Sequence, residues 1–230
     1  MDLRAIKAAK RTDLAACAIA AARNAQAILH DAEVLARSGS TARAYSLAAL
    51  TVEECGKAGY LVALAVLPRS MRMRAPVGRL LEWHQLKQVG GLLIASMTLE
   101  LPGLAPRLAA MPAARVTQIM GELNVPADEA DRLKRRGLYV DMGRGGRIRE
   151  PSEITEAEVA SQLVRARQAA RSVAVMLDPE AQARVTNPPA EAVELAGALV
   201  SALTRDRHAR SPEAAVDVML NAVRKLQSER

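Results

Sequence analysis

The sequence predicts an all-α protein, and three observations carry that prediction. Half of the 230 residues are hydrophobic, yet there is no Phe, one Trp and only three Tyr, so the core must be aliphatic. Alanine and leucine dominate the apolar set, with arginine and glutamate beside them, all strong helix formers. Over two long stretches the apolar residues recur in steps of three and four, the period of a helix face. The length suits one large domain or two small ones. No segment carries about 20 consecutive apolar residues, so a membrane span is not expected. Met1-Asp2-Leu3-Arg4 leads into an amphipathic helix rather than a signal-peptide core, and a cytoplasmic protein is expected.

The first long helix is predicted from about Asp13 to Ser38. Leu14, Ala18, Ala21, Ala25, Ile28, Ala32 and Leu35 form a heptad-like seam suited to close helix packing, within the monomer or across a homodimer. Ser38-Gly39-Ser40 ends it, with Gly39 fitted to a left-handed C-cap. A second helix follows from about Thr41 to Val66, so the two make an antiparallel hairpin. Pro68 and the basic run Arg69-Ser70-Met71-Arg72-Met73-Arg74 read as a loop. A third helix is predicted from Pro76 to about Met97, and short helices between Ala113 and Leu123 and from Pro126 to near Arg136. Leu138 to Met142 has strand character and Arg147 to Arg149 the character of a return, giving a small β-hairpin or ordered loop over 138–149. Thr155 and Glu158 form a capping box for a helix to about Leu177. Pro179, Pro188 and Pro189 bound later segments. Pro189 to about Thr204 reads as helix, and Ser211-Pro212-Glu213 opens a last one. The division that follows is a helical domain over 1–180 with a C-terminal helical extension, 181–230, packed on it.

The candidate chemistry sits on the hairpin. Leu47, Leu50, Glu54, Ala58, Leu61 and Ala65 share one face of the second helix, which puts Glu54 in an apolar stripe. A carboxylate there must find a partner or shift its pKa. Glu54 and Lys57 are spaced i,i+3, and Glu53 and Lys57 i,i+4 in the order of a surface ion pair. Gly56 costs about 1 kcal/mol in a helix interior and points to a close crossing or ligand approach. Asn24 and Asp31, two turns apart on the first helix, place polar groups beside its seam. His84 and Lys87 share a face of the third helix, where a histidine can carry protons near neutral pH. The three histidines, His30, His84 and His208, lack zinc spacing, so no metal site and no cofactor are expected. Gly143-Arg144-Gly145-Gly146 lacks the context of a phosphate loop. Cys17 and Cys55 belong to no CxxC pair and read as buried reduced thiols. A net charge of +7 and a pI near 9.9 permit binding to nucleic acid or another polyanion, while the scarcity of aromatics removes a stacking platform for single-stranded bases.

Asn24, Asp31-Ala32, Gly39, Ala44, Leu47-Ala48, Glu53-Glu54-x-Gly56-Lys57, His84-x-x-Lys87 and Gly137-Leu138-Tyr139-Val140-Asp141, taken as an ordered set, resemble the AbiV family of bacterial abortive-infection proteins, placed in the HEPN superfamily. The resemblance spans roughly Leu14 to Leu177. It implies a compact HEPN-like helical bundle, usually a homodimer, acting in defence against phage. Many HEPN proteins are metal-independent ribonucleases whose motif sets an Arg, a polar residue and a later His; Arg23-Asn24 and His30 fit that spacing, in the first helix rather than a later one. If the protein cleaves RNA, the chemistry of that reaction puts His84, Glu54, Lys57, Lys87, Asp31 and Asn24 in the catalytic set. Arg136, Tyr139, Asp141 and Glu53 would then contact substrate or phosphate.

Three readings follow from the residues and the resemblance. The first is an abortive-infection effector acting on RNA or the translation machinery, with a ribosome-associated target and a phage protein as trigger. The second is a non-catalytic helical protein that binds a phage or host protein. The third is a nucleotide-binding module whose arginines grip phosphates.

Overall fold

The computed structural model describes residues 3–74, 132–135, 137–139, 141–142, 148–151 and 154–188, with isolated positions up to 197. Six helices are defined among them: α1 (Leu3–Ala8), α2 (Arg11–Arg37), α3 (Thr41–Val66), α4 (Arg69–Arg74), α5 (Glu156–Ala174) and α6 (Pro179–Thr186), with a 3₁₀ turn at Val175–Leu177. The predicted helices at Pro76–Met97, Ala113–Leu123 and after Ser211 lie outside the described residues.

The α2–α3 hairpin is the spine. Leu14, Ala18, Ala21, Ala25 and Ala32 of the seam are buried, and Ile28 and Leu35 are half-buried. The seam is used inside the protein, since α2 packs most extensively on α3. Small residues face one another there, with Ala22, Ala25 and Ala32 on one helix and Ala44, Ala48 and Ala58 on the other all fully buried. Such side chains let two backbones approach closely.

The turn between them is a Schellman closure: Ser40 N–H donates to the Leu35 carbonyl at 2.9 Å and Gly39 N–H to that of Ala36 at 3.1 Å. Gly39 has φ of +77°. A Cβ at Gly39 meets nothing within 4 Å, so the conformation alone resists substitution. Gly39→Ala is expected to cost about 1–2 kcal/mol, read as a lower midpoint in urea with an unchanged slope.

α3 is the central helix. From Ala58 to Leu67 every residue is buried, the mark of a helix surrounded by protein. α5 packs against both α3 and α2. Its start follows the sequence: Glu158 N–H donates to Thr155 Oγ1 at 3.2 Å, and Thr155 N–H to Glu158 Oε2 at 2.7 Å. α6 opens on Asp178, whose carboxylate accepts from Glu180 N–H at 2.9 Å. Its apolar side, Ala181 and Val185, is buried, and it packs on α2 and α3.

Two expectations are corrected. Arg69–Arg74 is a short helix packed on α1, not a loop; its amides are free to turn because Pro68 precedes rather than interrupts it. The small β-hairpin expected over 138–149 is present, Asp141–Met142 pairing antiparallel with Ile148–Arg149, Asp141 opposite Arg149 and Met142 opposite Ile148. Leu138, expected in a strand, is helical.

Candidate functional site

Two adjacent carboxylates on α3 diverge because successive helical residues point about 100° apart. Glu54 turns toward α2 at the edge of the helix pair. Lys57 Nζ lies 3.2 Å from both of its carboxylate oxygens, and Asn24 Nδ2 of α2 donates to Oε2 at 3.2 Å. Glu54 keeps 22 % of its side-chain surface and Lys57 28 %, so the cluster is open to solvent on one side. Glu54, which the stripe marked as needing a partner, is half-buried, as are Leu47 and Leu50.

Glu53 turns inward. It is paired with Lys134, and the two side chains retain 5 % and 8 % of their surface. Of the two pairings the spacing allows Lys57, the i,i+3 one with Glu54 is made, and Glu53 is the buried acid. Removing two charges from water is costly, and only close pairing offsets it. Lys134 is also tied through its backbone, where Ser46 Oγ reaches both the Lys134 carbonyl at 3.1 Å and the Ala42 carbonyl at 3.0 Å. Gly137 lies beside that contact. A Cβ there would stand 2.4 Å from Ser46 Oγ and 2.5 Å from the Ala42 carbonyl oxygen. Glycine is required by close approach of two backbones.

These anchors fix where the glycine–tyrosine segment runs. It meets the first turns of α3, and Ala42 lies about 18 Å along the helix from Glu54 at 1.5 Å per residue. Tyr139 is 64 % exposed, and its N–H donates to the Arg135 carbonyl at 3.0 Å. Asp141 pairs through the short ladder with Arg149. The segment thus borders a cleft at the α2–α3 turn, formed with Ser40 to Arg43, rather than covering Glu54. Asp31 is exposed and lies about 10 Å along α2 from Asn24. Of the candidate set, the structure brings Asn24, Glu54 and Lys57 together and sets Glu53, Asp31 and Tyr139 apart from them. Arg23 and His30 are exposed on α2. His84, Lys87 and Arg136 lie outside the described residues. Lys134 and Ser46 are the residues that sequence reading missed; in Arg132-Leu133-Lys134-Arg135-Arg136 the lysine reads as one charge of a solvated basic run.

Burial pushes the Cys55 thiol up to about 12, with the neighbouring Glu54 charge adding to the effect, so it stays protonated and unreactive. Cys17 is exposed, contrary to expectation, and the two are free thiols. Tyr60 is fully buried, which raises its pKa above the ordinary value. Among the described residues no group of His, Cys, Asp and Glu is placed to hold a metal, and no helix is long and apolar enough to cross a membrane.

With this geometry in place, the sequence comparison is decisive: the family model HEPN_AbiV, described as AbiV, matches residues 13–171, well over half of the chain. The chain belongs to the AbiV family. No curated protein and no solved structure matches it. The helical bundle is accordingly an AbiV-type HEPN bundle. The match takes in nearly all of α2, α3, α4, the short strands and most of α5, and with them Asn24, Glu54, Lys57, Lys134 and Gly137. α1 and α6 lie outside it. Membership in AbiV points to a role in abortive infection and defence.

Proposed function

We propose that this AbiV-family protein is an antiphage effector that arrests the infected cell by acting on RNA or the translation machinery. The observation that carries the reading is the Asn24–Glu54–Lys57 cluster, a charged constellation on a solvent-facing edge of a pair of helices rich in buried alanine. RNA cleavage needs a base for the 2′-hydroxyl proton, an acid for the leaving oxygen and cations for the phosphorane. In this scheme Lys57 supplies the cation, Glu54 orients it and Asn24 holds Glu54. His84 carries the proton, and Lys87 and Arg136 add positive charge.

A second reading is favoured by one feature of the same cluster. The Asn24–Glu54 bond joins α2 to α3, and Lys57 satisfies both carboxylate oxygens. A network closed in this way sets helix register in a non-catalytic protein that binds a phage or host partner. Purified protein incubated with total RNA and with ribosomes separates the two. On the effector reading Lys57→Ala reduces cleavage or arrest of translation at least 100-fold, the scale of one lost electrostatic group, with the thermal midpoint nearly unchanged. An equal activity in Lys57→Ala and the parent, or none in either, removes the catalytic role.

A further inference from the structure

The base of the bundle, where α3 ends, holds a concentration of arginine that the cluster at Glu54 does not involve. Arg11 spans helix ends: its Nε donates to the Ala65 carbonyl at 2.8 Å, Nη2 to that of Val66 at 3.5 Å and Nη1 to that of Thr186 at 3.3 Å. Its charge is thereby placed at the negative ends of α3 and α6. Arg72 of α4 is only 5 % exposed. Its Nε and Nη1 are buried and meet no acceptor. Between them these nitrogens carry three N–H donors. Burial lowers the Arg72 pKa below the ordinary arginine value, and the like charges of Arg11 and Arg69 add to the effect. Among the described residues no carboxylate pairs with Arg72.

A buried guanidinium with unmet donors, crowded by two more cations, is an arrangement that folding alone disfavours. An anion removes the penalty. Three positive charges at one place call for more than one negative charge, and several oxygens suit donors that point in different directions. We propose that Arg72, with Arg11 and Arg69, forms a binding site for a phosphate group. The site lies about 16 Å along α3 from Glu54, taken from Ala65 at 1.5 Å per residue, and does not depend on the function proposed above. Neither nitrogen reaches solvent, so seating the ion requires the six-residue α4 to yield slightly.

Thermal unfolding at constant ionic strength, with chloride as the reference, tests this. Inorganic phosphate and a nucleoside 5′-monophosphate are titrated separately. At about 100-fold excess over the dissociation constant, the wild-type midpoint should rise by roughly 5–10 °C. Equal shifts assign the site to the phosphate group itself, and a larger shift with the nucleotide assigns it to a nucleotide's phosphate. Arg72→Met should melt at or above the wild type in chloride and show no phosphate shift. Arg69→Met, at an exposed position, should keep the fold and weaken phosphate binding roughly tenfold. No phosphate shift in the wild type overturns the proposal, and so does an equal shift in Arg72→Met.

Discussion

Glu53→Ala should destabilise the protein by about 3–5 kcal/mol, the cost of leaving one member of a buried pair uncompensated. For a chain of this size that lowers the thermal midpoint by roughly 10 °C or more, followed by circular dichroism. Lys134 keeps 8 % of its side chain exposed and would lose the carboxylate of Glu53. The double variant Glu53→Leu with Lys134→Met should recover most of the loss, because apolar side chains of similar volume replace an ion pair at little cost. A Glu53→Ala midpoint within 2 °C of wild type, a shift below about 1 kcal/mol, would show that the pair is solvated and that Glu53 is not a structural acid.

Gly137→Ala is the second large effect. The new methyl carbon would sit 2.5 Å from a backbone carbonyl oxygen on α3 and 2.4 Å from the Ser46 hydroxyl that bonds that carbonyl. Neither is the free end of a flexible chain, so the helical stretch carrying Lys134 must move away from α3. Overpacking of this kind costs about 1–3 kcal/mol by itself. Movement that also strains the Glu53–Lys134 pair adds to it. Gly137→Ala with Ser46→Ala should recover only part, since the Ala42 carbonyl remains. A single variant as stable as wild type in urea would contradict the close approach.

The hairpin, its turn and the start of α5 were legible because their signals are local. Seven apolar positions at helix spacing, one glycine between two serines and a Thr-x-x-Glu box each decide a structure within a few residues. α4 was not legible: Arg69 to Arg74 carries two methionines and three arginines after a proline, with too few turns for a period to show. Glu54 does find the partners that its place in the stripe demands, but the stripe does not pick out the deeper acid. α3 is buried around much of its circumference, so a single apolar stripe has no defined phase, and the inward acid is its neighbour Glu53. What identifies Glu53 is Lys134, 81 positions away in sequence, and no local pattern carries that pairing. The Asn24–Glu54–Lys57 cluster was half legible. Glu54 and Lys57 share a helix face by spacing, whereas Asn24 joins them only because the hairpin brings two levels of α2 and α3 together.

The account stands on the cluster at Glu54 acting rather than bracing. The direct test is phage plaquing together with total-RNA integrity in bacteria carrying the wild type or Glu54→Gln, a near-isosteric change that removes the charge opposite Lys57 and leaves an oxygen for Asn24. The purified variant should keep its helical content and melt within a few degrees of wild type, as fits a pair that is 22 % and 28 % exposed. Loss of protection and of RNA damage in a folded Glu54→Gln protein is the predicted result. Full protection with unchanged RNA in that variant would contradict it and leave the cluster as a brace between two helices.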